Sequence, residues 1–335
     1  MVTPYRKMFH IYDCDNNFLT AGTAKKYDDL KLFHIYDDSG KKLTLDKILK
    51  GDQADLWNRS TSNEFGRLAQ GNKYGIKYRD VMEFITKQEV PKTNKVTYAS
   101  FVLNYRPLKA EPWRVRLVVG GDKLPYDDDA GSPAASLIET KLLINSVISD
   151  ASKGAKFMSL DLKDFFLMSA MQSPEFMKIH KRNFPPDIID YYNLKDKIAN
   201  DDYVYIKIKK GMYGLKQAAL LGYEQLIQHL KPFGYYPIPH TEGLWKHKSR
   251  KITFCLCVDD FGVKYFHQSD VEHLMSALQQ KYDISSDWTG THFCGLSLNW
   301  HYQQGYVDIS MPKYIEQVLH KFQHKNPSKT SILST

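Results

Sequence analysis

The pattern of apolar and polar positions divides the chain into two unlike parts. Before about residue 95 it is polar and rich in turn residues, and it is helical only over residues 45–70. Gly51 interrupts that helical stretch and Gly71 ends it. The expected packing residues of the stretch are Trp57, Phe65 and Leu68. The repeated sequence Phe-His-Ile-Tyr-Asp, at residues 9–13 and 33–37, fits a pair of short edge strands; the favoured interpretation is a local duplication without chemistry.

From residue 95 onward strand and helix patterns alternate irregularly, which indicates an α+β fold. Strands are predicted at residues 96–103, 114–119, 156–160, 203–209, 243–248, 252–258 and 261–266, with a hairpin over 293–302 and 306–310. Helices are predicted after Ser136 and Ser269, where Glu139 and Glu272 would complete capping boxes, over 217–230, and from Pro312. The expected apolar faces are Leu137, Leu142, Leu143 and Val147 in the first helix, and Ile315, Val318, Leu319 and Phe322 in the last.

Three aspartates adjoin apolar strands. Asp161 follows the strand at 156–160, and Asp259 and Asp260 are placed in the tight turn between the strands at 252–258 and 261–266. Carboxylates at the ends of buried strands are costly unless something neutralises them, and a hard divalent cation with oxygen ligands does so. If the three meet in space, they could hold two metal ions about 4 Å apart. The alternative is that Asp259-Asp260 is only a turn dipeptide.

Composition adds weaker indications. The net charge of +8 favours polyanionic partners, and basic clusters interleave with aromatics at 178–182, 207–210, 246–251 and 313–325, although each alone is typical of a solvated face. The four cysteines form no CxxC pair, which fits a reducing compartment; Cys255 and Cys257 are expected to be small buried groups on one strand face. Neither a signal peptide nor a membrane-spanning apolar stretch is recognised.

Five blocks resemble the reverse transcriptases of copia-type LTR retrotransposons, in the order of that family. They are Arg116-Leu-Val-Val-Gly120, Asp161-Leu-Lys-Asp-Phe-Phe-Leu167, Met212-Tyr-Gly-Leu-Lys-Gln-Ala218, Val258-Asp259-Asp260 and Phe293-Cys-Gly-Leu-Ser-Leu298. Two departures stand out. Cys257 replaces the usual Tyr before the aspartates, and Ala219-Leu220-Leu221 replaces the family's Pro-Arg-x-Trp.

The resemblance implies a right-hand polymerase. Residues 1–94 would be an N-terminal extension, 95–300 the fingers and palm, and 301–335 the start of a truncated thumb or connection. Within the middle region, fingers are expected at 95–150 and 169–202, and palm at 151–168 and 203–300. The chain would extend a primer on an RNA or DNA template from dNTPs, with two Mg²⁺ or Mn²⁺ ions, in the cytoplasm, in virus-like particles or in the nucleus.

The resemblance also assigns roles residue by residue. Asp161, Asp259 and Asp260 would be the catalytic metal ligands. Phe166 would lie under the incoming sugar and disfavour a 2′-hydroxyl, with a core aromatic as the alternative. Gln217 would contact the nucleotide. Arg114 and Arg116, on one strand face, would clamp the triphosphate, and Arg116 is favoured by its place in the motif; the alternative for both is a solvated strand face.

Two other functions remain open from the sequence. The chain could be a degenerate or domesticated fragment that binds nucleic acid without polymerising, as the Ala219-Leu220-Leu221 departure and the missing downstream domains suggest. The intact aspartates argue against that reading. A structural subunit of a particle has no sequence feature of its own.

Overall fold

The computed structural model describes residues 10–11, 35–36, 43–105, 111–126, 130–241 and 243–321. Within these residues the helices α1–α7 are Leu45–Ile48, Ala54–Leu68, Leu137–Ser149, Pro186–Tyr191, Ala218–Leu230, Gln268–Gln279 and Pro312–Lys321. The strands β1–β16 are His10–Ile11, Ile35–Tyr36, Met82–Ile85, Val96–Tyr105, Trp113–Val119, Lys156–Lys163, Ala170–His180, Tyr203–Lys210, Tyr235–Pro237, Leu244–His247, Ile252–Cys257, Asp260–Tyr265, Asp283–Asp287, His292–Phe293, Leu296–His301 and Tyr306–Ser310. None of these helices is long and apolar enough to cross a membrane.

The chain divides into two compact units. The first contains residues 1–120, 176–207 and 312–335, and the second contains residues 121–175 and 208–311. The predicted boundaries at 94 and 300 stay a prediction, because packing units and polymerase subdomains are different divisions of a chain.

In the first unit, helix α2 covers the edge of a sheet with strand order β3-β8-β7-β4-β5. Ser60 and Glu64, one helical turn apart, accept the N–H groups of Val115 and Leu117 on the edge strand β5. Those N–H groups are therefore not left open for pairing with another chain. Trp57, Phe65 and Leu68 of α2 are buried as predicted. The pair of short strands that the repeated sequence allows is present as β1 and β2, antiparallel to each other.

The second unit is built on a six-stranded antiparallel sheet with strand order β13-β6-β12-β11-β10-β9. One face carries a core cluster whose strand residues include Leu160, Phe254 and Phe261, packed with residues of helices α5 and α6. The opposite face carries Phe157 and Cys255 beneath α3 and the hairpins β14–β16. Because side chains alternate along a strand, every cross-strand row belongs to one face or the other.

Two predicted helix details are wrong. In α3 the capping box of Ser136 and Glu139 is present, but Leu137 and Leu142 are 56% and 58% exposed. The buried stripe is Thr140, Leu143, Ile144 and Val147, so Leu142 lies about 100° away from Leu143 and Leu137 lies in the first turn. In α6 the N-cap is His267, and Glu272 instead accepts a hydrogen bond from Gln268.

The last helix departs from its predicted face as well. Ile315 of α7 is 52% exposed, whereas Val318 and Leu319 are half-buried. Phe322, the fourth residue predicted for that face, lies outside the described residues.

Lys264 anchors α3 to the sheet. Its side chain is buried, and its ammonium donates hydrogen bonds to the carbonyl oxygen of Ser146 at 2.8 Å and to the carboxylate of Asp150 at 2.7 Å. Hydrogen bonds from Lys153 and Lys264 lower the pKa of Asp150 to about 2. Because this pKa is depressed in the folded state, its stabilisation is present above the ordinary value and is lost as pH falls toward about 2.

We expect Asp150→Asn to lower the urea midpoint at neutral pH more than Lys264→Met does. The first change leaves a buried ammonium without its counter-charge, whereas the second removes the ammonium and keeps an apolar stem. The parent should also lose stability between about pH 4 and pH 2 more steeply than Asp150→Asn. Asp52→Asn, at an exposed turn, is the control. Equal midpoints for the two principal variants would contradict this account.

Candidate active site

Four side chains lie in one row across the sheet of the second unit. The strand registers pair Cys257 with Asp260, Asp260 with Asp161, and Asp161 with Ser285 on β11, β12, β6 and β13. Directly opposed residues of antiparallel strands project from the same face, with Cβ atoms about 4.5–5.5 Å apart. The Ser285 hydroxyl donates to Asp161 Oδ2 at 3.3 Å. We call this set the carboxylate row.

The alternation of β6 explains why Asp161 faces as it does. Met158, Leu160 and Leu162 fill the core under α5 and α6, so Asp161 projects from the opposite face. Two sequence expectations need correction here. Asp161 lies within β6, which continues to Lys163, and does not follow the strand. Asp260 is the first residue of β12, so the turn holds only Asp259 of the pair.

The turn before Asp260 is a two-residue hairpin loop, Val258 and Asp259. Val258 has a φ of +63°, whereas the φ of Asp259 is not positive. A positive φ at the first loop residue alone is the pattern of a type II′ turn. Glycine usually takes that position, and a β-branched residue there stores about 1–3 kcal/mol of strain. The carbonyl oxygen of Asp259 accepts the Leu162 N–H at 3.0 Å, which ties the turn to β6.

The directly opposed carboxylates of Asp161 and Asp260 fit a hard divalent cation. Like charges directly opposite each other on neighbouring strands are destabilising, and carboxylate oxygens are the ligands that Mg²⁺ takes. Over the described ranges, no three His, Cys, Asp or Glu side chains form a group that could hold a metal ion. The convergence of Asp161, Asp259 and Asp260 as three ligands therefore stays a prediction.

We expect Asp260→Asn to stabilise the protein in the presence of a chelator, by about 0.2–1 kcal/mol, because it removes the like-charge pair with Asp161. Mg²⁺ should raise the thermal midpoint of the parent and raise that of the variant much less. Differential scanning fluorimetry with and without Mg²⁺ measures both effects. Asp308→Asn, on exposed strand β16, is the control. A variant that is destabilised in chelator, or that responds to Mg²⁺ as the parent does, would contradict the prediction.

Phe166 and Gln217 lie on adjoining segments of the second unit. Phe166 is in the short 3-10 helix Phe165–Met168, and its half-buried ring meets that of Tyr213 edge-on, with centroids 6.1 Å apart. A Cβ at Gly211 would come within 2.6 Å of the carbonyl oxygen of Phe166, so glycine permits this close approach. Gln217, the N-cap of α5, has Nε2 3.9 Å from the sulfur of Met171.

The neighbouring ring, Phe165, is a core aromatic. It is 3% exposed and packs against Gly222 of α5, where a Cβ would meet it at 2.8 Å.

Burial raises the pKa of Glu175, and a hydrogen bond with Gln217 opposes that rise. The proposed nucleotide contacts of Phe166 and Gln217 stay predictions.

The two candidate arginines lie in the first unit and differ in their surroundings. Arg114 forms ion pairs with Glu64 and Glu111, each at 3.5 Å, and its side chain is only 12% exposed. Arg116 lies on the same face of β5 and is exposed. Arg114 therefore has a structural role that the sequence did not indicate, and clamping of a triphosphate by either residue stays a prediction.

Two cysteines lie at the carboxylate row. Cys257 is one of its members, and the sulfur of Cys294, which sequence reasoning did not single out, is 3.9 Å from Asp260 Oδ2. The interaction between the two thiols lowers the pKa of Cys257 and raises that of Cys294. Cys255 is fully buried, as predicted, and burial raises its pKa to about 12, whereas Cys257 is only half-buried.

Two of the basic clusters can be placed in the structure. Lys178 and Lys181 form ion pairs with Asp201 and Asp202 at 3.6 and 2.8 Å. The cluster at 246–251 contributes to a cavity of about 520 Å³ lined by His247, Ser249, Arg250, Lys251, His267, Asp270 and His273. The length of β11 separates that cluster from the carboxylate row, by ~17 Å at 3.4 Å per residue.

Comparison with known proteins identifies the class. A family model described as reverse transcriptase (RNA-dependent DNA polymerase) matches residues 87–333, which is most of the chain. The chain therefore belongs to the reverse transcriptase family, whose general activity is RNA-directed DNA polymerisation, a nucleotidyl transfer. With its mixed helices and sheets, this confirms the predicted α+β right-hand polymerase fold.

The relatives are retrotransposon proteins. The chain is 23% identical over 252 residues to the retrovirus-related Pol polyprotein from transposon TNT 1-94 of Nicotiana tabacum, covering 72% of this chain and 18% of that protein. It is 27% identical over 158 residues to the putative transposon Ty5-1 protein YCL074W of Saccharomyces cerevisiae, covering 47% of each. The predicted resemblance to copia-type reverse transcriptases is confirmed, and the chain spans less than half of either relative.

Among solved structures, similarity extends to telomerases. Apo telomerase from Candida tropicalis gives a TM-score of 0.42 at 12% identity, covering 90% of this chain and 56% of that one. Telomerase from Candida albicans in complex with the TWJ fragment of telomeric RNA gives 0.40 at 10% identity, covering 73% and 48%. These scores are too low to support an argument about function.

Proposed function

We propose that this chain is an RNA-directed DNA polymerase that extends a primer from dNTPs. The observation that carries the proposal is the direct opposition of Asp161 and Asp260 on neighbouring strands, with Asp259 in the turn between β11 and β12. Three carboxylates in this arrangement belong to the two sequence blocks that resemble the family's catalytic motifs. The relatives are transposon proteins, so the natural context proposed is the Pol region of a retrotransposon.

The carboxylates of Asp161, Asp259 and Asp260 would hold two Mg²⁺ or Mn²⁺ ions. Such ions supply a more nucleophilic 3′-hydroxyl and neutralise charge on the leaving pyrophosphate. The sheet fixes where Asp161 and Asp260 project, because each is paired on the hydrogen-bonded ladder. Ser285 restrains the Asp161 carboxylate through its hydrogen bond. Asp259 is positioned by the strained turn and by the hydrogen bond that its carbonyl oxygen accepts from the Leu162 N–H.

Selection of the nucleotide is assigned to the side chains that the resemblance singles out. The Phe166 ring would exclude a 2′-hydroxyl by steric contact, and Gln217 would orient the nucleotide from the start of α5. Arg116 is favoured over Arg114 for the triphosphate by its place in the Arg-Leu-Val block. A template–primer would be held through its phosphates by basic side chains, a contact without sequence information.

We expect Asp259→Asn to abolish primer extension on a homopolymer RNA template with Mg²⁺ or Mn²⁺. Affinity for the template–primer should change little, because affinity rests on phosphate contacts. Extension assays and fluorescence anisotropy measure the two properties, and Asp308→Asn is the control. Equal extension by the variant and the parent would remove Asp259 from catalysis. Salt-sensitive binding without extension by either would favour the alternative function, a fragment that binds nucleic acid without polymerising.

Phe166→Val tests sugar selection. Removing the ring should raise kcat/KM for ribonucleotides relative to deoxynucleotides, because the steric contact with the 2′-hydroxyl is lost. The cost in stability should be about 1–3 kcal/mol, since the ring is half-buried. Phe165→Val, in the core beside it, is the matched control and should lower stability without changing the ratio. An unchanged ratio in a folded, active Phe166→Val would show that the gate lies elsewhere.

A further inference from the structure

The turn that joins β10 to β11 is held in one shape by the His247 ring. Its Nδ1 atom accepts hydrogen bonds from the backbone N–H groups of Ser249 and Arg250, each at 3.0 Å. Its Nε2 atom lies 2.9 Å from the carbonyl oxygen of Phe233, which can only accept, so Nε2 carries the proton. Both ring nitrogens are therefore engaged, and the turn presents Arg250 and Lys251 from a defined backbone.

The cavity of about 520 Å³ lies between this turn and helix α6. Arg250 and Lys251 bring positive charge to it, and α6 contributes Asp270 and His273. The Arg250 guanidinium donates to the carboxylate of Asp270, a buried residue, at 2.9 Å. A guanidinium carries five N–H donors in one plane, so this ion pair fixes its orientation without using its whole capacity.

A second cavity, of about 240 Å³, reaches the opposite face of the sheet. Ile252 and Phe254 of β11 pack in the core cluster with α6, so Thr253 between them projects from the other face. The strand registers place Thr253 beside both Lys246 and Lys264, and all three line this cavity. The two cavities share three lining residues, His247, Arg250 and Lys251. They therefore adjoin around the end of the β10–β11 hairpin.

The charge of the two cavities selects an anion with linked phosphates. The second cavity is lined by four cationic side chains and, among its described lining residues, by no carboxylate. Lys264 is engaged by Asp150 at 2.7 Å, whereas Lys246 and Lys251 are exposed to solvent. Lysine binds phosphate as a point charge and arginine binds it through its fork of N–H groups. Two adjoining cationic cavities fit two successive phosphates of one chain.

We propose that the β10–β11 turn binds a single strand of nucleic acid, which passes around the end of the sheet with phosphates in both cavities. A single strand can bend around two β-strands, whereas a duplex, with a persistence length of about 50 nm, cannot. The length of β11, ~17 Å at 3.4 Å per residue, separates this site from the carboxylate row. The choice of nucleic acid as the ligand rests on the proposed function, but its binding here requires neither metal nor extension.

The first test measures the affinity of the full chain for a labelled oligothymidylate, by fluorescence anisotropy in a chelator over a range of salt concentrations. Lys246→Gln combined with Lys251→Gln should lower the affinity roughly tenfold or more at about 0.1 M salt. The slope of log affinity against log salt should become shallower by about 1.4, because each phosphate contact on a single strand contributes about 0.7. Lys92→Gln combined with Lys95→Gln removes the same charge from exposed positions of the first unit and is the control.

The second test locates the contact on the parent protein by lysine acetylation and peptide mass spectrometry. Oligothymidylate should protect Lys246 and Lys251 from acetylation. Inorganic phosphate and thymidine monophosphate, at the same total phosphate concentration, should not protect them. Equal protection by either small anion would show a site for isolated phosphate and overturn the bound strand. Equal protection by a DNA duplex would overturn the path around the end of the sheet.

The remaining results are also decisive. Unchanged affinity and salt slope in the variant of Lys246 and Lys251, or an equal loss in the control, would overturn the site. Protection of both lysines by polyglutamate as strong as that by the oligonucleotide would overturn nucleic acid as the ligand. Absence of extension by the parent counts against the proposed function, while lysine protection, read without metal, still decides whether the strand binds here.

Discussion

The direct opposition of Asp161 and Asp260 on neighbouring antiparallel strands is the constraint on which the second unit depends. Two carboxylates that face each other repel, so their own interaction does not hold them in place. The burial of apolar side chains on the other face of the same strands does. Leu160, Phe261 and their neighbours lock one face of the strands under α5 and α6, and the register that this packing selects places the aspartates in one row. A slip of either strand by one residue would turn its own aspartate into the core.

The opposite face of the sheet, which carries the carboxylate row, is covered by α3 and the β14–β16 hairpins beyond that row. Beyond the row, Gly262 and Cys255 offer little bulk, which allows Phe293 and α3 to approach the strands closely. Farther along, Lys264 crosses to the carbonyl of Ser146 and the carboxylate of Asp150 and holds the end of α3. On this face of β12, each residue type thus matches the element that covers it. Gly262 lies under the Phe293 ring, and Lys264 lies under the end of α3.

Sequence reasoning predicted most strands, because runs such as residues 252–258 and 261–266 are strongly apolar. It missed β13, whose sequence Asp-Ile-Ser-Ser-Asp carries a single apolar residue and depends on pairing with β6. Ser285 and its bond to Asp161 were therefore missed too. The same limit explains Leu137 and Leu142, since helical periodicity cannot tell which side of a largely apolar helix meets the sheet. The ion pair of Arg114 with Glu64 was missed as well, because the two residues are distant in sequence.

The three aspartates are positioned by two different kinds of restraint. Asp161 and Asp260 are held by the ladder and can move little without breaking strand pairing. Asp259 lies outside the ladder, in a loop whose first residue, Val258, is held at positive φ against its steric preference. Such strain persists only where the surroundings impose it, and here the Cys257–Asp260 pair and the bond from Leu162 do so. The proposed metal site would thus combine two carboxylates fixed by the sheet with a third, Asp259, whose position is set by a strained turn.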